Sequence, residues 1–191
     1  MRRKKRIGLF GGTFDPVHLG HTIVAEWVQS KLGLDTVYFI PNYIHPFAKR
    51  EDILNSAHRL KMLELAISDY PDFKICRYEI EKNEISYSID TIHYFQEQFP
   101  KSELYYLIGA DNIDEFDLWK EANEIFTLAT VVVFNRKGDN GNESAKFKYV
   151  DSPLIEISSS EIREHIKIGL PYQSFLHPDV YNYIEKNKLY R

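Results

Sequence analysis

Short apolar runs alternate with longer segments of helical periodicity along the first two thirds of the chain. The runs are rich in β-branched and aromatic residues and cover residues 6–10, 37–41, 73–76, 104–108 and 131–134. Runs of this kind are typical of strands that are buried on both faces of a parallel sheet. The alternation therefore predicts a parallel sheet whose strands are joined by right-handed crossover connections.

Helical patterns fill the intervening segments and the C-terminal region. We predict helices over residues 21–32, 56–68, 90–99, 159–167 and 178–188. Ser56 is a plausible N-cap, and Pro100 ends the third helix. A polar loop over 137–144 precedes a short strand at 148–150. The order of elements predicts a Rossmann-like, doubly wound α/β sheet with C-terminal helices, in one domain of residues 1–191.

The composition is that of an ordinary globular protein, with 43% hydrophobic residues and a formal net charge of -4. This charge gives no reason to expect a nucleic-acid partner, and the basic run at 2–6 is interpreted as a solvated leader to the first strand. No apolar run reaches the roughly 20 residues that span a bilayer. The single cysteine, Cys76, cannot form an intrachain disulfide. We expect a cytoplasmic protein with no membrane or nucleic-acid partner, and we leave a homo-oligomer open.

The segment 11–21 carries the strongest chemical signal, reading Gly-Gly-Thr-Phe-Asp-Pro-Val-His-Leu-Gly-His directly after the first predicted strand. Paired glycines let the backbone approach a phosphate chain, and the following helix N-terminus offers free N–H groups. His18 and His21 are three residues apart, so both project from one face of the first turn. Two imidazole donors there suit the negative charge that develops on a phosphoryl group during transfer. The segment matches neither the G-x-G-x-x-G fingerprint nor the P-loop.

A second anion site is predicted near the C-terminus. Ser158 and Glu161 have the spacing of a capping box, so a helix begins there. Its free N–H groups and Arg163 could hold phosphates that leave as pyrophosphate, and a plain capped helix is the alternative interpretation. Asp111 follows the strand 104–108 and is expected at the binding edge of the sheet, as a pocket residue, a helix N-cap or both.

The segment 11–21 resembles the signature of the HxGH nucleotidyltransferase superfamily. Over nearly all of residues 6–190, the chain resembles the bacterial nicotinate-nucleotide adenylyltransferases. This resemblance rests on further segments in matching order, which are Ile40-Pro41-Asn42, Ser56-Ala57-His58-Arg59-Leu60, Ser86-Tyr87-Ser88-Ile89-Asp90-Thr91, Ile108-Gly109-Ala110-Asp111, Trp119 and Ile157-Ser158-Ser159-Ser160-Glu161-Ile162-Arg163. The segment 86–91 and Trp119 favour the nicotinate enzymes within the superfamily.

The resemblance implies transfer of AMP from ATP to nicotinate mononucleotide, giving deamido-NAD and pyrophosphate in NAD biosynthesis. It implies that the catalytic residues are His18, His21 and Arg163. It implies that ATP is bound by Gly11, Gly12, Thr13, Phe14, His18, His21, Gly109, Asp111, Ile157, Ser158, Ser159 and Arg163. For the acceptor it implies Asn42, Lys49, Arg50, Tyr87, Ser88 and Trp119, the last stacking on the pyridine ring. Mg²⁺ is expected to be carried by ATP, with no protein metal ligands.

Two departures from the family pattern fall on the acceptor side. His45-Pro46-Phe47-Ala48 stands where the family has Pro-Pro-His-Lys, so the basic residues come late, at Lys49 and Arg50. Lys120 stands where the family often has a tyrosine, and Ser160 replaces a threonine. Nicotinamide mononucleotide and phosphopantetheine therefore stay open as acceptors. A catalytically silent nucleotide-binding protein and a nucleic-acid-binding protein are the alternatives from other classes.

Overall fold

A computed structural model describes residues 3–47, 53–134 and 144–191 of the chain. Its centre is a six-stranded sheet of order β3-β2-β1-β4-β5-β6, and every neighbouring pair is parallel. The strands are β1 (Arg6–Gly12), β2 (Thr36–Pro41), β3 (Phe73–Ile75), β4 (Glu103–Gly109), β5 (Thr130–Phe134) and β6 (Lys148–Tyr149). The predicted Rossmann-like, doubly wound sheet is confirmed, and each predicted strand is present. Most of the predicted loop 137–144 lies outside the described residues.

Helices cover both faces of the sheet. They are α1 (Leu19–Leu32), α2 (Ser56–Ala66), α3 (Tyr78–Lys82), α4 (Ser88–Gln98), α5 (Ala122–Leu128), α6 (Ser159–Ile168) and α7 (Pro178–Asn187). The sequence did not predict α3 and α5, because helices of 5 and 7 residues are too short to show a helical period. The prediction of Ser56 as N-cap was wrong, since the Asn55 side chain accepts the hydrogen bond from the Ala57 N–H. Within the described residues, no helix is long and apolar enough to cross a membrane.

Alternation along the strands divides the core into two hydrophobic clusters, one on each face of the sheet. Phe10 of β1 packs into a cluster with α1, α2 and the C-terminal helices, to which Ile162 and Val180 contribute. Ile7 and Leu9 pack into the other cluster, with α4 and α5. Burial on both faces explains why the strands are almost continuously apolar. The C-terminal helices share the cluster that α1 builds.

The winding direction of the chain reverses between β1 and β4. β2 and β3 extend the sheet on one side of β1, and β4 pairs with its other side. Loops at the carboxyl ends of β1 and β4 therefore lead away in opposite directions, and they leave a crevice between them. Ligands of open parallel sheets bind at such a switch point.

A buried arginine joins the loops that follow β1 and β2. Arg59 of α2 is 2% exposed. Its guanidinium donates to the carbonyl oxygens of Leu54, Thr13 and Asn42 at 3.0, 2.8 and 2.8 Å. Burial lowers the pKa of Arg59, and the nearby Asp15 carboxylate opposes that shift. Since buried donors and acceptors need partners, these bonds hold the two loops at a fixed separation.

We expect Arg59→Met to lower the free energy of unfolding by about 3 kcal/mol, because it leaves three carbonyl oxygens, all buried or partly buried, without their hydrogen-bond donor. Arg77→Met is the matched control. The Arg77 side chain is 53% exposed and forms one ion pair with Glu64, so its loss is expected to cost less than about 0.5 kcal/mol. Urea denaturation of both variants measures the difference, and equal losses would contradict the structural role of Arg59.

Candidate active site

A cavity of about 870 Å³ opens at the carboxyl ends of the central strands. This volume lies within the range of small-molecule sites in proteins. Of the residues predicted for catalysis or binding, those bordering the cavity are Gly11, Gly12, Thr13, His18, His21, Asn42, Tyr87, Ser88, Gly109, Asp111, Trp119, Ile157, Ser158 and Ser159. Segments far apart in sequence thus meet around one space. Lys49 and Arg50 lie outside the described residues.

The two histidines of segment 11–21 are in contact at the start of α1. His18 is the N-cap, and its backbone N–H donates to Nδ1 of His21 at 3.1 Å. The imidazole ring centroids are 3.7 Å apart. A neutral imidazole whose Nδ1 accepts a hydrogen bond carries its proton on Nε2. His21 therefore offers an Nε2–H donor, while its other nitrogen caps the helix.

Burial keeps both histidines neutral at pH 7. Desolvation lowers the pKa of His18 to about 4. It also lowers the pKa of His21 well below its usual range, and the neighbouring His18 lowers it further. Among the described residues, His18 Nδ1 and Asn42 Oδ1 are buried without a hydrogen-bond partner. Both residues border the cavity, but these two atoms are themselves covered by protein.

Gly20 is required by the position of the His18 imidazole. A Cβ atom on Gly20 would lie 2.9 Å from His18 Nδ1, closer than real Cβ contacts allow. Similarly, a Cβ on Gly11 would lie 3.1 Å from the Tyr106 hydroxyl. The glycines of this segment therefore make room for side chains that border the cavity as well as for a ligand.

The N-terminus of α6 approaches the same cavity from the other side. Ser158 Oγ accepts a hydrogen bond from the Glu161 N–H at 3.1 Å, which confirms the predicted helix start. Ser159 Oγ donates to the Pro16 carbonyl at 2.8 Å, joining α6 to the loop after β1. Two helix N-termini, those of α1 and α6, therefore face one space that can hold negatively charged groups.

Two residues predicted for ATP binding do not border the cavity in this structure. Phe14 is 2% exposed, and its ring packs edge-on against His21 with the centroids 5.0 Å apart. It supports the imidazole from the core side. Arg163 donates to the Asp15 carbonyl at 2.6 Å and to Ser160 Oγ at 3.0 Å, which holds it against the loop after β1. The two motifs that suggested these residues, 11–21 and 157–163, do not specify which way each side chain faces.

Part of the cavity lining is a pocket with aromatic walls, which we call the ring pocket and define by Tyr87, Ser88, Tyr106, Trp119 and Lys120. Ser88 Oγ and the Tyr106 hydroxyl are 2.7 Å apart. The Tyr106 and Trp119 rings are perpendicular, with centroids 6.1 Å apart. Burial raises the pKa of Tyr106, so its hydroxyl stays protonated. This pocket can accept a flat ring.

Sequence reasoning assigned no role to several residues that border the cavity, among them Tyr106, Glu79 and His45. Glu79 of α3 is 7% exposed, and its carboxyl group accepts a hydrogen bond from Thr91 Oγ1 at 2.6 Å. Burial raises the pKa of Glu79. His45 also borders the cavity, and burial lowers its pKa. An acidic residue on the buried face of a helix would have pointed to Glu79. The sequence did not show this, because α3 was not predicted.

A possible metal-ligand cluster lies away from the cavity. In the described part of the chain, His93, Glu121 and Glu124 have ligand atoms within 4.8 Å of one another. His93 belongs to α4, the two glutamates lie at α5, and none of the three borders the cavity. Exposed acidic groups often come this close without binding an ion, so the cluster assigns no metal to the active site.

Comparison with known proteins identifies the class of this site. Residues 9–165 match the family model for cytidylyltransferase-like proteins, and the chain belongs to that family. Within it, the chain belongs to the nicotinate-nucleotide adenylyltransferases. It is 38% identical to the nicotinate-nucleotide adenylyltransferase of Bacillus subtilis, over 97% of this chain and 98% of that one. It is also 41% identical to a Clostridium perfringens protein carrying the same name qualified as "Probable", over 98% of both chains. The chain is therefore a nucleotidyltransferase.

Solved structures share its fold. A Plasmodium falciparum nicotinic acid mononucleotide adenylyltransferase, complexed with NaAD, matches with a TM-score of 0.80 at 23% identity, over 97% of each chain. A Vibrio parahaemolyticus protein described as a putative nicotinate-nucleotide adenylyltransferase matches with a TM-score of 0.73 at 23% identity, over 98% of this chain and 96% of that one. At these identities the likeness establishes the fold alone.

We expect His18 to make the fold less stable in mild acid. The unfolded chain protonates this histidine below about pH 6.5, whereas the folded chain does so only near pH 4. Its neutral form therefore contributes stability that is lost as pH falls through this window. His18→Gln should reduce the loss of unfolding free energy between pH 7 and pH 5 by about 2 kcal/mol. His93→Gln, at a histidine whose side chain is 47% exposed, is the control, and a wild-type-like loss in His18→Gln would refute the burial argument.

Proposed function

We propose that this chain transfers the AMP part of ATP to nicotinate mononucleotide, forming deamido-NAD and pyrophosphate in NAD biosynthesis. The observation that carries the proposal is the contacting pair His18 and His21 beside Gly11 and Gly12, in a cavity that includes the ring pocket. The names of the relatives support the same reaction. The part of the lining formed by the paired glycines, the histidine pair and the start of α6, which we call the phosphate end, suits phosphates, and the ring pocket suits a flat ring.

In the proposed reaction, an oxygen of the acceptor's 5'-phosphate attacks the α-phosphorus of ATP in line. The new P–O bond joins the two nucleotides, and the bond from the α-phosphorus to the bridging oxygen breaks, so that pyrophosphate leaves. Catalysis then consists of positioning and charge stabilisation, as in other phosphoryl-type transfers. No covalent intermediate with the chain is needed.

The phosphate end of the cavity supplies the donors for this step. His21 offers Nε2–H, and His18 lies in contact with it, so both imidazoles can donate to the oxygens that gain charge. The backbone at Gly11 and Gly12 lets the triphosphate approach closely. The N-terminus of α6, with Ser158 and Ser159, borders the cavity and is proposed to hold the leaving phosphates. We keep Arg163 as a ligand of the leaving group, which requires it to exchange its present bonds for a phosphate oxygen.

The remaining predicted binding residues are divided between ATP and the acceptor. Asp111 and Gly109 border the cavity after β4 and are proposed for the nucleoside part of ATP. Asn42 borders the cavity after β2 and is proposed to contact the acceptor. Lys49 and Arg50 are proposed to neutralise the acceptor's phosphate. Trp119 is proposed to stack on the pyridine ring.

Magnesium is proposed to enter with ATP. Carboxyl groups that border the cavity in the described residues come from Glu79 and Asp111, and Glu79 is engaged by Thr91. A cation that prefers six oxygen ligands would therefore rely on the triphosphate and water. When bound, it would neutralise part of the phosphate charge.

The defining measurement is pyrophosphate release from ATP-Mg with nicotinate mononucleotide, nicotinamide mononucleotide or phosphopantetheine as acceptor. We expect release with the first. His21→Ala should reduce turnover by roughly 10²–10³-fold, as the loss of one electrostatic donor does in other enzymes. The turnover of His21→Asn should fall by a similar factor. The asparagine side chain can still accept the hydrogen bond from the His18 N–H, but it has no Nε2–H.

His93→Ala is the matched control, because this histidine of α4 is 47% exposed and does not border the cavity, so the variant should keep full turnover. A fully active His21→Ala would remove that residue from the mechanism. Absence of pyrophosphate release with every acceptor would overturn the enzymatic proposal, and strong preference for phosphopantetheine would overturn the acceptor.

A further inference from the structure

The ring pocket contains one lysine, which is held by two neighbours. Lys120 Nζ lies 3.2 Å from an Asp90 carboxylate oxygen and 4.7 Å from the centre of the Tyr87 ring. Its side chain is 42% exposed and borders the cavity directly after Trp119. An ion pair and a contact with an aromatic face together restrict the position of the ammonium. The group is therefore a placed charge at the wall where a flat ring would lie.

The Asp90 carboxylate does not fully neutralise the Lys120 ammonium, because it pairs with two lysines. Lys82 Nζ contacts the second Asp90 oxygen at 2.8 Å. The three groups together carry one net positive charge. Lys82 also contacts Glu84 at 3.3 Å, but the Glu84 side chain is 67% exposed, and water screens it. Of the two lysines, Lys120 borders the cavity and Lys82 does not.

We propose that Lys120 makes the site select acceptors whose aromatic ring bears a carboxylate over those with the corresponding carboxamide, an inference that rests on the proposed function. The ammonium attracts an anionic ring substituent, whereas a neutral amide gains less from it. Glu79 also borders the cavity, but burial raises the pKa of its carboxyl group, which favours the uncharged form. Lys120 therefore provides the charge that distinguishes the two ring substituents.

The test compares kcat/KM for nicotinate mononucleotide and nicotinamide mononucleotide in wild type and Lys120→Met, at saturating ATP-Mg. We expect the value for the nicotinate acceptor to fall about tenfold, at the low end for a charged contact because the side chain is partly exposed. The value for the nicotinamide acceptor should change less than about twofold. Lys120→Arg keeps the charge and should retain most of the preference. Lys120→Gln gives the same test should the methionine variant fold poorly.

Lys61→Met is the matched control, because this lysine of α2 is 51% exposed, pairs with Glu64 at 3.4 Å and does not border the cavity. Its preference should stay within about twofold of wild type. An equal fall for both acceptors in Lys120→Met would overturn the inference, since it would place Lys120 at their shared phosphate. An unchanged ratio would also overturn it. A wild-type protein inactive with both acceptors would instead refute the proposed function.

Discussion

The convergence of three backbone carbonyl oxygens on the buried guanidinium of Arg59 is the constraint on which the cavity depends. Thr13 follows β1 and Asn42 follows β2, so one side chain joins the loops of two neighbouring strands. Thr13 Oγ1 also accepts a hydrogen bond from the Asn42 amide at 3.2 Å. A buried cation is costly unless its donors are paired. Neither loop can therefore move far without unpairing Arg59, and this favours a cavity that is formed before its ligands arrive.

Burial of the two imidazole rings sets the chemistry of the histidine pair. Phe10 and Phe14 surround His21 with aromatic rings, and His18 is 8% exposed. Two imidazolium ions with ring centroids 3.7 Å apart would repel each other, but desolvation keeps both rings neutral. A triphosphate beside them would favour their protonated forms. The two rings thus repel each other little when the cavity is empty. They become stronger hydrogen-bond donors as negative charge accumulates next to them.

The sheet was predictable from sequence because burial on both faces leaves nearly continuous apolar runs. The residues that line the cavity were less predictable from sequence. Tyr105 and Tyr106 are adjacent in β4, and only the sheet register sends the second towards Gly11 and the cavity. Glu79 lies on a helix too short to show a period. The motif-based resemblance named Phe14 and Arg163 without the loop geometry that turns them away from the cavity. The roles of Lys49 and Arg50, and the single domain, stay predictions.

The phosphate end and the ring pocket are built in different ways, and this difference affects how readily each can be altered. The phosphate end depends on glycines, helix N-termini and imidazoles that the sheet and Arg59 hold in place, so a substitution such as one at Gly20 displaces His18. The ring pocket takes its charge from Lys120, a partly exposed side chain in the connection between β4 and α5. A residue there can be exchanged without moving a strand. Recognition of the acceptor can therefore change through side chains alone, while the transfer chemistry stays fixed by the fold.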